Sequence, residues 1–142
     1  RALETKIFLD KKKQEEIFSE LLKYYNVDDH FSHRFKTYTS PGRLIRYSEN
    51  LKNLKIDLDT SLYNSTSILI ENFKKTKDDI FLDCINFLLE INFSKKINSE
   101  NKEFINIINE KNNIIKLLYD YKNFNLSSNS VLEFIRRYES YA

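Results

Sequence analysis

An all-α fold, a short three-helix unit followed by a helical bundle, is predicted by three properties of this chain. One proline and one glycine occur in 142 residues, so little interrupts a helix. Apolar residues recur three and four apart over most of the length, which is the helical period. Extended or β structure fits only residues 5–9, Thr5-Lys6-Ile7-Phe8-Leu9.

The elements follow in order. Asp10 can cap a helix over about 11–25, with Ile17, Leu21, Leu22 and Tyr25 at helical spacing. Asn26 to Asp29 form a polar break, and a short helix over about 29–38 carries Phe31, Phe35 and Tyr38. The third helix starts at Ser40-Pro41. The Ser40 hydroxyl can accept from an orphan N–H of the next turn, and proline suits the first helical position, where its missing N–H costs nothing. This helix runs to about 54, burying Leu44, Ile45, Leu51 and Leu54. Asp57 or Asp59 opens a helix to about 75, with Leu62, Thr66, Leu69, Ile70 and Phe73 on one face. Asp78 or Asp79 opens the next, to about 92. Its Phe81, Cys84, Ile85, Leu88 and Leu89 form a wide apolar stripe, so it is expected to be central. Lys95, Lys96 and Asn98 read as loop. Ser99 can cap a long helix to about 122, with Phe104, Ile107, Ile108, Ile115 and Leu118 on one side. Asn123 to Ser128 break it, and a last helix carries Val131, Leu132, Ile135 and Tyr138. No repeat of 20–50 residues is visible.

Composition narrows the function classes. Hydrophobic residues make up 41% and charged residues 31%, enough for a packed core with a wet surface. A net charge of +2 does not by itself predict nucleic-acid binding. No apolar run approaches the ~18 residues of a membrane span, and Arg1-Ala2-Leu3-Glu4 is no signal peptide. Cys84 is the one cysteine, so it forms no internal disulfide and is expected to be a small buried hydrophobe in a reducing, cytoplasmic setting. A start at Arg1 and the absence of methionine suggest a trimmed or partial chain. Lysine outnumbers arginine 17 to 6, and three of the six arginines, Arg34, Arg43 and Arg46, surround the Ser-Pro-Gly turn. Arginine at such a site supplies a planar, bidentate donor that lysine does not replace.

Candidate chemistry is sparse. His30 and His33 form a His-x-x-His pair with Asp28 and Asp29 close by in sequence. A zinc site needs about four ligands, so two surface histidines and no metal are expected. A phosphate-binding glycine loop is excluded by the single glycine. No nucleophile–base arrangement is recognisable, and the Arg-x-x-x-x-His pattern of HEPN ribonucleases does not occur. Acidic pairs such as Asp78-Asp79 fall at helix starts, where the helix dipole accounts for them. Lys11-Lys12-Lys13 reads as a solvated first turn or as a face for an acidic partner or phosphate. Gly42 leaves the first turn of its helix without a side chain, so another backbone or a ligand can approach. The Ser40-Pro41-Gly42-Arg43 element also reads as an ordinary helix start.

The stretch from Phe31 to Leu51, centred on Thr39-Ser40-Pro41-Gly42-Arg43-Leu44-Ile45-Arg46, resembles the lid of the bacterial DNA polymerase III clamp-loader subunit delta prime. That family opens its last lid helix with a Gly-Ser-Pro-Gly-Arg-Ala-Leu-like motif. Upstream, Lys6-Ile7-Phe8-Leu9-Asp10 and the helix to Tyr25 are similar to the strand and helix that precede the lid core. Downstream, Asn123-Phe124-Asn125-Leu126-Ser127 and the helix from Val131 to Tyr138 are similar to the end of the family's helical collar. The resemblance touches the whole chain in order, and only Ser-Pro-Gly-Arg is a sharp motif.

The resemblance implies a lid over residues 1–51 and a collar over 52–142, without the family's AAA+-like domain. It implies a stator that binds no ATP and no other cofactor. The related motor subunits carry a sensor arginine two positions after the motif serine, where this chain has Gly42. Arg43 stands one residue on, about 100° round the helix. Arg1 falls near the family's Ser-Arg-Cys arginine, a finger acting in trans on a neighbour's ATP, although Ala2 stands here in place of the cysteine. The implied partners are other clamp-loader subunits, bound through the collar. The sliding clamp and primed DNA would be met only through the whole complex, and no membrane is involved. The fragment is not expected to be an enzyme itself, though its parent complex is an ATPase. An obligate collar is expected to keep exposed apolar surface, including Tyr and Phe. The alternative is a free-standing helical adaptor that binds one protein partner. The first reading requires an α/β domain upstream in the gene, ending in Ser before Arg1; the second requires a nearby Met.

Overall fold

In a computed structural model, which describes residues 10–29, 31, 35–97 and 103–141, the chain is all-helical. Six α-helices are present and no strand occurs among the described residues: α1 Lys11–Tyr25, α2 Pro41–Asn53, α3 Leu62–Thr76, α4 Ile80–Ile97, α5 Phe104–Phe124 and α6 Ser128–Ser140. The expected extended segment at 5–9 lies outside the described residues. The chain divides into two units, Arg1–Lys55 and Ile56–Ala142, whereas the sequence placed the boundary after residue 51.

In the first unit α1 packs against α2. Asp10 caps α1 as expected, its carboxylate accepting from the Lys13 N–H at 2.8 Å. The helix ends at Asn26 in the left-handed region, φ 53°, and the Val27 N–H returns to the Leu22 carbonyl at 3.0 Å. Such a closure brings the residue after the cap back against the last turn, and Val27 is buried. The buried face of α1 differs from the expected one. Phe18 and Leu22 are inside, Ile17 and Leu21 are half-buried, and Tyr25 is exposed. Phe18 gains this place by stacking on Phe31, with ring centroids 6.2 Å apart. The expected helix over about 29–38 lies partly outside the described residues. Its described end is a turn, with the Tyr38 N–H on the Phe35 carbonyl. On α2, Leu44, Ile45, Tyr47 and Leu51 are buried, and the buried Ser48 hydroxyl is satisfied by the Leu44 carbonyl at 2.9 Å. Leu54, expected inside, is half-buried just past the helix end.

The second unit is a closed bundle: α3 packs on α4, α4 on α5, α5 on α6, and α6 returns to α3. Neither Asp57 nor Asp59 opens α3. Asp57 instead organises a turn, its carboxylate accepting from the Asp59 N–H and its carbonyl from the Thr60 N–H. A short acidic side chain offers the backbone this alternative to a helix. Ser61 takes over as the cap, accepting from the Asn64 N–H at 3.2 Å. Before α4, Asp78 accepts from the Ile80 N–H at 3.1 Å. The helix then runs to Ile97, so Lys95 and Lys96 are its last turn and not a loop. Cations suit that end of the helix dipole, and Lys96 has a second role. Its ammonium lies 5.1 Å from the Tyr138 ring centroid and donates to the Tyr141 carbonyl. Ser99 lies outside the described residues, and α5 starts at Phe104 after Glu103, whose side chain makes no cap bond. Ser127 caps α6. The Glu139 carboxylate accepts from the Tyr63 N–H at 3.2 Å, and Arg136 bonds the Tyr63 hydroxyl at 3.1 Å, which ties α6 to the start of α3.

With one glycine available, the chain ends its helices on other residues. Asn26, Lys77 and Asn125 take the left-handed conformation as C-caps, and Lys55 takes it just after α2. Such a residue costs roughly 1–2 kcal/mol unless its side chain bonds locally, as asparagine can.

Tyr138 is fully buried and its hydroxyl has no hydrogen-bond partner among the described residues. Burial, with a smaller push from the Glu90 carboxylate, raises its ionisation well above 10.0. The folded chain therefore keeps this proton at pH values where the unfolded chain has lost it. The resulting stability is fully present below pH 10.0 and is lost as the pH climbs further, at about 1.4 kcal/mol per pH unit. Tyr138→Phe is expected to be neutral or stabilising by up to about 1 kcal/mol at pH 7. In urea unfolding followed by circular dichroism, the wild type is expected to lose stability more steeply than this variant above pH 10.0.

Candidate functional site

The Ser-Pro-Gly-Arg element is a well-formed helix start. Ser40 is extended, φ −61° and ψ 148°, its hydroxyl accepts a long bond of 3.4 Å from the Arg43 N–H, and Pro41 opens α2 with its ring buried. Gly42 is exposed and its φ is not positive. A Cβ built there would meet nothing within 4 Å. The expected close approach to Gly42 is therefore not made by the described residues. Arg43 and Arg46 are exposed, three residues apart on one side of α2. Arg34, His30, His33 and Arg1 lie outside the described residues.

Other sequence candidates lie among the described residues. Asp29 accepts from the Phe31 N–H at 3.4 Å and pairs with Lys36 at 2.6 Å, so it closes the loop after α1. No group of three or more His, Cys, Asp or Glu with metal-binding geometry occurs among the described residues. Cys84 is fully buried, and burial with the nearby Asp83 carboxylate pushes its thiol up to about 12. Lys11, Lys12 and Lys13 are exposed on the first turn of α1, offset there by the Asp10 carboxylate. No helix is long and apolar enough to cross a membrane among the described residues.

Two depressions are lined by described residues. A cavity of about 20 Å³ lies between the Asp57–Thr60 turn and α4, lined by Ser65, Leu88, Ile91 and Asn92. It has room for about one water, not a substrate. An open hollow of about 400 Å³ at the end of α1 has Leu22 and Val27 in its lining, along with Lys23, Asp28 and Asp29.

The surface that stands out is on α5. Sequence reasoning put Phe104, Ile107, Ile108, Ile115 and Leu118 on one side. The structure separates them. Ile107, Ile114, Leu118 and Tyr121 face the core, whereas Phe104, Ile105, Ile115 and Tyr119 are exposed, Ile105 by 73% and Tyr119 by 64%. Adjacent apolar pairs, Ile107-Ile108 and Ile114-Ile115, supply the two faces. Phe124, the last residue of α5, and Leu126 beyond it are also exposed. Monomeric proteins expose single apolar residues freely, but a contiguous patch marks an interaction surface. The doublets were the available sequence signal. One amphipathic face needs only one residue of each pair.

Compared with known proteins, the chain matches no family model, no curated protein and no solved structure.

Two measurements follow from this geometry. Gly42→Ala is expected to leave the fold intact and to raise stability by about 0.5 kcal/mol in urea unfolding, because the site is helical and open. Cys84 is expected to resist Ellman's reagent at pH 8 in the folded chain and to react fully only after unfolding, since about one thiol in ten thousand would be ionised there.

Proposed function

We propose that this chain is the lid and collar region of a clamp-loader subunit of the delta-prime type, a stator that binds no ATP. Its collar assembles with other subunits to load a sliding clamp on primed DNA. The observation that carries the reading is the second apolar face of α5. A closed bundle has no internal use for exposed Phe104, Ile105, Ile115 and Tyr119, and an obligate interface resembles a core cut open. The Ser40-capped, Pro41-initiated helix in the first unit agrees with the lid motif. Gly42 brings no charge to the place where motor subunits present a sensor arginine. Arg43 is one position round the helix, so nucleotide binding by this chain is not expected.

On this reading the protein works in the cytoplasm and contributes to ATP hydrolysis only in trans, through an arginine such as Arg1 stabilising the charge that develops on a neighbour's nucleotide. Contact with the clamp and DNA belongs to the whole assembly. The exposed α5 face, taken without the Ser40-Pro41 helix start, also suits a free-standing helical adaptor, and one experiment separates the two. In native mass spectrometry of the chain mixed with the collar region of the motor subunit from the same genome, a stable mixed oligomer is expected. A chain that stays monomeric while the motor collars assemble without it would leave the adaptor as the reading.

A further inference from the structure

We infer that the outer face of α5 is a coiled-coil-type seam for a helix of another polypeptide, whose own apolar seam is bordered by acidic residues and carries a polar side chain opposite Asn112. The inference rests on the reading of this unit as an assembly module, and it names the chemistry of the partner.

The spacing comes first. Ile105, Ile108, Asn112, Ile115 and Tyr119 follow one another at intervals of three, four, three and four residues. That is the a/d repeat by which one helix beds into another. Ile105, Asn112 and Tyr119 take the a positions; Ile108 and Ile115 take the d positions. Ile105, Asn112, Ile115 and Tyr119 are exposed and Ile108 is half-buried. The same helix carries a second seam, Ile107, Ile114, Leu118 and Tyr121, which is spent on its own core. Apart from half-buried Ile108, the outer seam is left uncovered by the described residues.

Asn112 is the informative residue. A polar side chain in the middle of an apolar seam lowers affinity for any purely apolar helix and favours a partner with a matching polar group, which sets register. The borders add a sign. Positions flanking the seam hold Lys111 and Lys116 and no carboxylate, while Glu110 and Asp120 sit at positions turned away from it. Lys111 is already bound to Glu90 at 2.5 Å, so exposed Lys116 is the charge a partner meets first.

A second copy of this chain fits poorly in either direction. Paired in parallel, Asn112 would meet its own counterpart, but exposed Lys116 would face a Lys111 already held by Glu90 and find no carboxylate to pair with. Paired antiparallel, a positions lie against d positions, so each Asn112 carboxamide would be buried against isoleucine without a hydrogen bond, a costly arrangement. A helix with acidic borders and its own polar a residue avoids both conflicts.

The test uses the full chain and two synthetic three-heptad peptides. Both carry isoleucine at a and d and one central asparagine at a. One has glutamate at the e and g positions, the other lysine. In fluorescence anisotropy the acidic peptide is expected to bind about tenfold or more tighter than the basic one, with the gap shrinking as salt rises. The double variant Ile105→Gln, Tyr119→Gln alters two exposed side chains, so circular dichroism should be unchanged while binding is lost. Lys116→Glu is expected to narrow or invert the preference. Equal binding of both peptides, or binding that survives the double variant, would overturn the inference. So would sedimentation showing a dimer of the chain that the double variant converts to a monomer, because a second copy would then be the occupant. If the chain joins motor collars in mass spectrometry and the double variant joins them equally well, the seam fails and the proposed function stands.

Discussion

A helix whose apolar residues cover well over half its circumference must be packed on more than one flank, and α4 imposes that constraint on the second unit. Ile80, Leu82, Cys84, Ile85, Phe87, Leu88, Leu89 and Ile91 are all buried, positions that cover well over half the circumference and leave a narrower side to Asp83, Asn86 and Glu90. Burial of side chains of this kind is worth about 1.5–3 kcal/mol each, against the chain entropy that ordering costs. Covering α4 requires α3 on one flank, α5 on the other, and the Asp57–Thr60 turn beside Leu88 and Ile91. The return of α6 to α3 closes the arrangement, and its polar fastening by Glu139 and Arg136 on Tyr63 lies where the helices begin and end.

That constraint explains why the sequence was legible where it was. Buried α4 was recognised as central because its stripe is wide. The starts of α1 and α2 were read correctly because Asp10 and Ser40-Pro41 satisfy or remove orphan N–H groups, a purely local matter. The failures have equally local or wholly nonlocal causes. Asp57 carries the right chemistry for a cap but is used in a turn, four residues before the cap that forms at Ser61. Lys95-Lys96 looked like a loop in composition and proved to be a last helical turn, with Lys96 held by Tyr138 of α6 and by Tyr141 just past that helix. No reading of residues 90–98 alone contains those partners. Phe18 was missed because its stacking partner, Phe31, is thirteen residues away across a break.

The candidate site was half legible. Exposed aromatic and aliphatic surface on the second unit was expected, but not its place. Sequence reasoning gave α5 one face because a single stripe is the usual solution for a helix at the edge of a bundle. The doublets Ile107-Ile108 and Ile114-Ile115 meant that two stripes were written into one helix, and only the burial of Ile107 and Ile114 shows which is which. At the Ser-Pro-Gly-Arg turn the situation is reversed. The motif was legible at once, and its geometry asks for serine and proline, while the fold itself makes no demand for glycine.

The outer face of α5 has a thermodynamic consequence. Anything that covers it in the folded chain and not in the unfolded one draws the equilibrium toward folding by mass action. The melting temperature of this chain is then no fixed constant of its sequence. It belongs to the solution as a whole, rising with the concentration of whichever helix occupies the face and falling when that helix is diluted away.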